Sequence, residues 1–233
     1  MIIEAILFDF NGVIIDDEPL HQKAYFEVLS AHGIEQTAEE YYGSLGMDDE
    51  TFVRAAFKRA KKNLSKEMMR SIIEREHELH RQMIEDELPL APGVVTFIKA
   101  TSRHFMLGVV SMAVRPEIDY VLKRAGLLKS FSIIISAEDV QACKPDPACY
   151  ATAFDLLNQK RHEERKLPLL AEECLVIEDA PPGIESARAA RMRSLGVTNT
   201  VSEASLRRAG ADVVTHSLAD WTVDAIHHVF SEG

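Results

Sequence analysis

Positive charge is scarce in this chain: 26 lysines and arginines stand against 37 acidic residues, a formal net charge of −11. That balance argues against a nucleic-acid surface or an anionic membrane as the main partner, and an anionic substrate would need local cations or a metal. Cysteine is scarce as well. Cys143, Cys149 and Cys174 are odd in number and lack paired metal-ligand spacing, which suits a reducing cytosol without a disulfide framework; they read as small core residues. No apolar run approaches membrane-spanning length, and residues 1–15 contain Glu4 and Asp9 with no leading basic region, so they make a poor signal peptide. The expectation is a cytoplasmic protein with no membrane partner. Internal repeats and low-complexity tracts are missing too. What is plentiful is apolar surface: 46% of 233 residues are hydrophobic, enough for one good core and a smaller second module.

That apolar content is distributed in short branched runs. Ile2–Phe8, Met106–Val110, Ile133–Ile135, Cys174–Ile177, Leu195–Val197 and Val213–Val214 each predict a buried strand. From Val94 onward they alternate with helical patterns, among them Pro116–Ala125, Ala148–Leu157 and Ile184–Ala190. This predicts the α/β class with a doubly wound parallel sheet. The charged stretch Asn158–Glu173 reads as a helix end plus a surface loop. Residues 16–89 break the alternation: Leu20–Ser30, Asp48–Lys62 and Ser65–Glu87 predict successive amphipathic helices, and Pro89, Pro92 and Gly93 mark the return. The expected organisation is a Rossmann-like core, residues 1–15 and 90–233, with an inserted helical cap domain, residues 16–89, able to close over a site.

Chemistry-bearing residues fall at the predicted strand ends. The first run delivers Asp9 into the turn Phe10-Asn11-Gly12, where backbone N–H groups can hold an anion. Ser111 follows the second run, Lys144-Pro145-Asp146-Pro147 lies beyond the third, and Glu178-Asp179 follows the fourth. Each alone has an ordinary reading: a helix-capping serine, a loop, a solvated turn.

Together and in this order they resemble the haloacid dehalogenase-like superfamily over nearly the whole chain. Phe8-Asp9-Phe10-Asn11-Gly12-Val13-Ile14-Ile15-Asp16 is similar to the first motif, Asp-x-Asp-Gly-[Thr/Val]-x-x-Asp, except at its third position. Glu178-Asp179-Ala180-Pro181-Pro182-Gly183-Ile184 is similar to Glu-Asp-Ser-x-x-Gly-Ile. The detailed resemblance is to the helical-cap subfamily that contains β-phosphoglucomutase and phosphoglycolate phosphatase. It implies a phosphatase of a small phosphorylated metabolite in which Asp9 is the nucleophile and forms an aspartyl-phosphate. Ser111 would bind the transferring group, Lys144 would neutralise charge, and Mg²⁺ would be held by Asp9, Asp179, Glu178 and the main chain of Asn11. His21, on the first cap helix, matches a histidine near the family's active site; Met112 and Arg115, close behind Ser111, are expected at the substrate. Phosphoryl transfer asks the protein mainly for alignment and charge stabilisation, and this set of groups is sufficient for it.

Asn11 stands where the family carries an acid that protonates the leaving oxygen and later activates water. An amide cannot do this, and general acid/base catalysis is worth ~10²–10⁴-fold. An engineered exchange, a lineage that uses Asn, and an enzyme that needs no acid all fit. The last suits acyl phosphates and anhydrides, whose leaving groups need little protonation. Other readings are a turnover-impaired binding protein, a dehalogenase, a phosphonatase using Lys23, or a sugar-phosphate mutase. Glu178-Asp179 weakens the dehalogenase reading, a solvent-facing Lys23 the phosphonatase, and the arginine-free Gly43-Ser44-Leu45-Gly46-Met47 loop the mutase. Asp16, Asp17 and Glu18 read as hinge residues, a source of a substitute acid or, the favoured reading, an N-capping cluster.

Overall fold

The computed structural model describes residues 2–231. Six strands, β1 (Ala5–Phe8), β2 (Met106–Val110), β3 (Ile133–Ile135), β4 (Cys174–Glu178), β5 (Arg193–Val197) and β6 (Val213–Thr215), form one sheet in the order β3-β2-β1-β4-β5-β6. Every pairing is parallel. Winding runs outward from β1 to β3 and then restarts at β4 on the other side of β1, so the carboxyl ends of β1, β2 and β4 border the crevice where such sheets bind ligands.

The strand alternation sets the two core layers. Ile6 and Phe8 face one side with Leu107, Val109, Leu175 and Ile177, covered by Phe97, Ile98, Ile118 and Ile226. Those residues lie on α5 (Val94–Thr101), α6 (Arg115–Arg124) and α10 (Val223–Ser231). Ala5 and Leu7 face the other side with Ile133, Ile135, Val176 and Tyr150. There α7 (Ala148–Glu163) and α8 (Pro181–Ala189) cover the sheet, and α9 (Glu203–Ala209) packs on α8 through Leu206 and Ile184. The first strand is shorter than its apolar run predicts: Ile2 is 58% exposed, and pairing starts at Ala5, where both neighbouring strands begin.

Between β1 and α5 come α1 (Glu18–Ala31), α2 (Ala38–Tyr42), α3 (Asp49–Arg59) and α4 (Lys66–Met83). These have their own core, in which Tyr25, Val28 and Leu29 meet Phe52, Val53, Phe57, Met69 and Ile72. The short α2 escapes the periodicity argument; a capping box between Thr37 and Glu40 starts it. Both passages between the helices and the sheet run side by side, with Asp16 N bonded to Pro89 O at 2.7 Å and Ala91 N to Ile14 O at 3.1 Å.

The capping expectation for Asp16, Asp17 and Glu18 is corrected. Asp17 occupies the N-cap of α1, but its side chain makes no capping bond there. It is fully buried and accepts instead from the Asn11 side-chain amide, with His21 and His80 at 3.6 and 3.1 Å.

Candidate functional site

Asp9 leaves the end of β1 with its carboxylate accepting from the Phe10 amide at 2.7 Å and lying 3.0 Å from Lys144 Nζ. The turn behind it needs glycine. Gly12 has φ +73°, and a Cβ there would stand 1.9 Å from Asp179 Oδ2 and 2.6 Å from Thr200 Oγ1. Asn199 Nδ2, which no motif singled out, donates to Gly12 O at 2.7 Å and fixes the turn from beyond β5.

Lys144 is buried and donates to Val110 O at 3.1 Å and to Glu178 Oε1 at 2.7 Å. Glu178 also accepts from Tyr150 OH at 2.7 Å. Its carboxylate is therefore occupied in aiming the ammonium at Asp9. Gly183 makes room for it, since a Cβ there would fall 1.9 Å from the Glu178 carboxyl carbon. Tyr150 carries no sequence signal beyond an apolar helix position; its hydroxyl is explained only by the buried carboxylate it meets.

Two carboxylates thus share one ammonium, and that of Asp179 stands beside them. Burial, then the Glu178 charge, pushes Asp9 up to about 7. Burial and the charges of Glu178 and Asp9 hold Asp179 well above the ordinary carboxylate range. Burial disfavours the charged form of Lys144, but Asp9 and Glu178 outweigh it and raise its pKa. Asp9, Glu178 and Asp179 bring carboxylate oxygens within 4.8 Å of one another, and the neighbouring Thr200 Oγ1 is buried without a hydrogen-bond partner. An all-oxygen donor set with excess negative charge, beside a space that Gly12 keeps clear, fits a hard divalent cation.

Ser111 is the buried end of β2, its amide bonded to Ile135 O at 3.0 Å. Its Oγ accepts from Ala113 N at 3.0 Å, whereas the N-cap of α6 is Val114, so the helix-capping reading does not hold. Ser111, Met112, Asp9, Asn11, His21 and Lys144 all line one cleft of about 110 Å³, closed on the helical side by Glu18, Tyr25, Tyr41, Phe52 and the Ser44–Asp48 loop. Of the other expected residues, Glu178 and Asp179 stand behind the lining, next to Lys144 and Asp9, and Arg115 is apart from both. It lies outside the lining, with its Nε 3.0 Å from Asp119 Oδ1 on the same helix. Lys23 is exposed. Cys149 and Cys174 are core residues as expected, but Cys143 is only half-buried and meets the Asp48 amide at 3.4 Å.

The Asn11 side chain turns toward the helices. Its Nδ2 donates to Asp17 Oδ1 and Oδ2 at 3.1 and 3.2 Å and lies 3.2 Å from His21 Nε2. Burial opposes ionisation of Asp17, yet His21 and His80 beside it hold its carboxyl well below the usual range, so it is an anion and not an acid at neutral pH. His21 is raised despite its burial by the charges of Glu76 and Glu117. Among the acidic neighbours named from the sequence, Glu18 alone lines the cleft; burial raises it, and Tyr41 OH donates to it at 2.8 Å.

Known proteins are similar along the whole chain. Hexitol phosphatase B of Escherichia coli is 28% identical over 220 residues, covering 94% of each chain. The phosphorylated carbohydrates phosphatase of Thermotoga maritima is 27% identical, covering 89% of this chain and 92% of that one. The chloroplastic Protein SUPPRESSOR OF QUENCHING 1 of Arabidopsis thaliana is 30% identical over 96% of this chain, which spans only 20% of that protein's length. In fold, β-phosphoglucomutase from Clostridium difficile superposes with a TM-score of 0.85 at 22% identity, covering 99% of this chain and 98% of that one. Residues 3–191 match one family throughout, and the chain belongs to the haloacid dehalogenase-like hydrolases.

Proposed function

We propose that this protein is a Mg²⁺-dependent phosphatase of a small phosphorylated metabolite, working through an aspartyl-phosphate on Asp9. The observation that carries the reading is the convergence of Asp9, Lys144 and Ser111 on one cleft beside the Glu178-Asp179 pair. The named phosphatase relatives support it.

An Asp9 oxygen attacks phosphorus, and the bond from phosphorus to the ester oxygen breaks with its electron pair leaving on that oxygen. Lys144, held by Glu178, faces the attacking carboxylate and offsets its charge, while the Ser111 hydroxyl donates to a phosphoryl oxygen. Water then attacks the phosphoryl group, releases inorganic phosphate and restores Asp9. Asp9, Asp179 and the Asn11 main chain would hold Mg²⁺, with Glu178 behind them. When bound, the ion supplies positive charge to the transferring group. Residues 16–89 act as the cap, pivoting on the adjacent passages at Asp16 and Pro89.

Asn11 has hydrogens to donate in hydrogen bonds but no proton to transfer, so the leaving oxygen must depart as a weak base or find its proton at Glu18 or His21. This favours acyl phosphates and anhydrides over alkyl esters. The arginine-free Ser44–Asp48 loop provides no grip for a second phosphate, which disfavours a mutase.

Assays of acetyl phosphate and p-nitrophenyl phosphate in Mg²⁺, with Asp9→Ala as control, test the reading. A burst and then slow turnover of acetyl phosphate is expected. Activity that survives Asp9→Ala would overturn it, and binding of phosphate analogues without any turnover would favour a binding protein instead.

A further inference from the structure

Behind Asn11, where α1, α4 and α6 meet, lies a second cluster of titratable groups, distinct from the carboxylates around Asp9. Asp17, His21, His80 and Glu117 each bring one nitrogen or oxygen within 4.8 Å of the other three. His21 Nε2 is 3.1 Å from Glu117 Oε1 and 3.6 Å from Asp17 Oδ2, and His80 Nε2 is 3.1 Å from Asp17 Oδ2. Donors at about 2.0 Å from a tetrahedral Zn²⁺ stand roughly 3.3 Å apart, so these separations are already those of a zinc coordination sphere.

The groups around the cluster are arranged to match. On its far side, His21 Nδ1 meets Glu76 Oε1 at 2.9 Å. A carboxylate on Nδ1 orients the ring with Nε2 facing the cluster, and a cation bound there would take the place of the Nε2 proton, the arrangement of metal-binding histidines. His80 is 2% exposed and stacks on His21 with ring centroids 3.7 Å apart. Its Nε2 makes no hydrogen bond: Asp17 is close but out of alignment. A buried ring that faces Asp17 through Nε2 and Glu117 through Nδ1, with Nε2 left without a hydrogen bond, points to a missing partner that is a cation. Glu76 Oε2 is likewise without a partner. The Asn11 amide borders this position through Nδ2, and rotating the amide would present Oδ1, one more oxygen donor.

We propose that Asp17, His21, His80 and Glu117 bind one zinc-class divalent cation and so tie α1 and α4 of the helical insertion to α6 on the sheet. Two imidazoles with two carboxylates select Zn²⁺ or Co²⁺, whereas the all-oxygen group at Asp9, Glu178 and Asp179 suits Mg²⁺. The two sites therefore sort cations by donor chemistry. The inference concerns a separate cluster and does not depend on the phosphatase reading.

The test titrates the intact protein with Zn²⁺ by calorimetry and with Co²⁺ by visible absorption, in saturating Mg²⁺. One equivalent is expected to bind, with the intense bands of low-coordinate Co²⁺ and a melting temperature raised by Zn²⁺. Asp179→Asn should leave this binding intact. Glu76→Gln should weaken it about 10–100-fold, and His80→Gln should weaken it further. Circular dichroism of the metal-free variants checks that they fold; if His80→Gln does not, Glu117→Gln, on the rim of the cluster, takes its place. Zn²⁺ that is displaced by Mg²⁺ and lost with Asp179, or that binds His80→Gln as it binds the parent chain, would overturn the proposal.

Discussion

The sheet and the helical insertion bury charge in opposite ways. At the carboxyl edge of the sheet, Lys144 is the only buried lysine or arginine among the described residues, and its partners come from strand ends held at fixed spacing by parallel hydrogen bonds. In the insertion, Glu76 and His80 are buried on one face of α4 among Met69, Ile72 and Leu79, and their partners come from two other segments of chain, α1 with its N-cap and α6. A sheet places a few charged groups by backbone register. A helix packed on other helices places them only if their side chains find one another, so its buried charges depend on the neighbours remaining docked. The sheet site should therefore tolerate loss of a side chain with little change in fold, while the insertion should couple its charges to its packing.

The largest test of that contrast is Asp9→Asn. Turnover should fall on the order of 10⁴-fold or more, as for removal of a nucleophile, while the melting temperature holds or rises because one of three crowded carboxylates is neutralised. A large drop in melting temperature would show that Asp9 is structural. Next comes Leu29→Ala in the insertion core, where Leu29 is fully buried. Urea unfolding should show a loss of about 2–5 kcal/mol, and hydrogen exchange should place the loosening in α1 and α4 before the sheet. Uniform loosening would mean that the two regions unfold as one.

A smaller effect is expected from Asn11→Asp. It should raise hydrolysis of alkyl phosphates by ~10²-fold if position 11 keeps its family role. The new carboxyl would, however, stand against the Asp17 anion that Asn11 now bonds, so the variant should lose stability that Asp17→Asn in the same chain restores. Intact-mass analysis of fresh protein guards against deamidation at Asn11-Gly12. Unchanged alkyl-phosphate rates would move the acid/base role to Glu18 or His21.

The smallest effect concerns His77, whose Nε2 lies 2.9 Å from Asp49 Oδ2. Burial lowers its pKa, but the Asp49 bond and charge outweigh that and lift it to about 9. The folded value exceeds the unfolded one, so the stabilisation is complete below about pH 6.5 and disappears as pH rises through 9. Its size should be on the order of 1 kcal/mol, since the pair is partly exposed and screened. Melting curves from pH 6 to 10 should show the decline, and His77→Gln should flatten it.

Much of the sheet site can be read without coordinates, because the groups sit in contiguous motifs directly behind apolar runs. Asp9, Ser111, Lys144 and Glu178-Asp179 are such cases: the first three line one cleft and the last two stand beside Asp9. Arg115 has the same proximity in sequence, yet Asp119 one helical turn on holds it outside. Local spacing cannot say which of two neighbours a flexible guanidinium meets.

The sequence by itself determined the strands, their parallel order of appearance and the helical interruption, because period and apolar run length are local properties of the chain. It also determined that an amide, not an acid, follows Asp9 by two positions. Only the tertiary structure decided what that amide touches. Asp17 and His21 arrive from α1, His80 from α4 and Glu117 from α6, and their side chains meet only when the helical insertion is docked on the sheet. No periodicity encodes that meeting, since each residue occupies an unremarkable helical position until packing removes water and leaves the others as its partners.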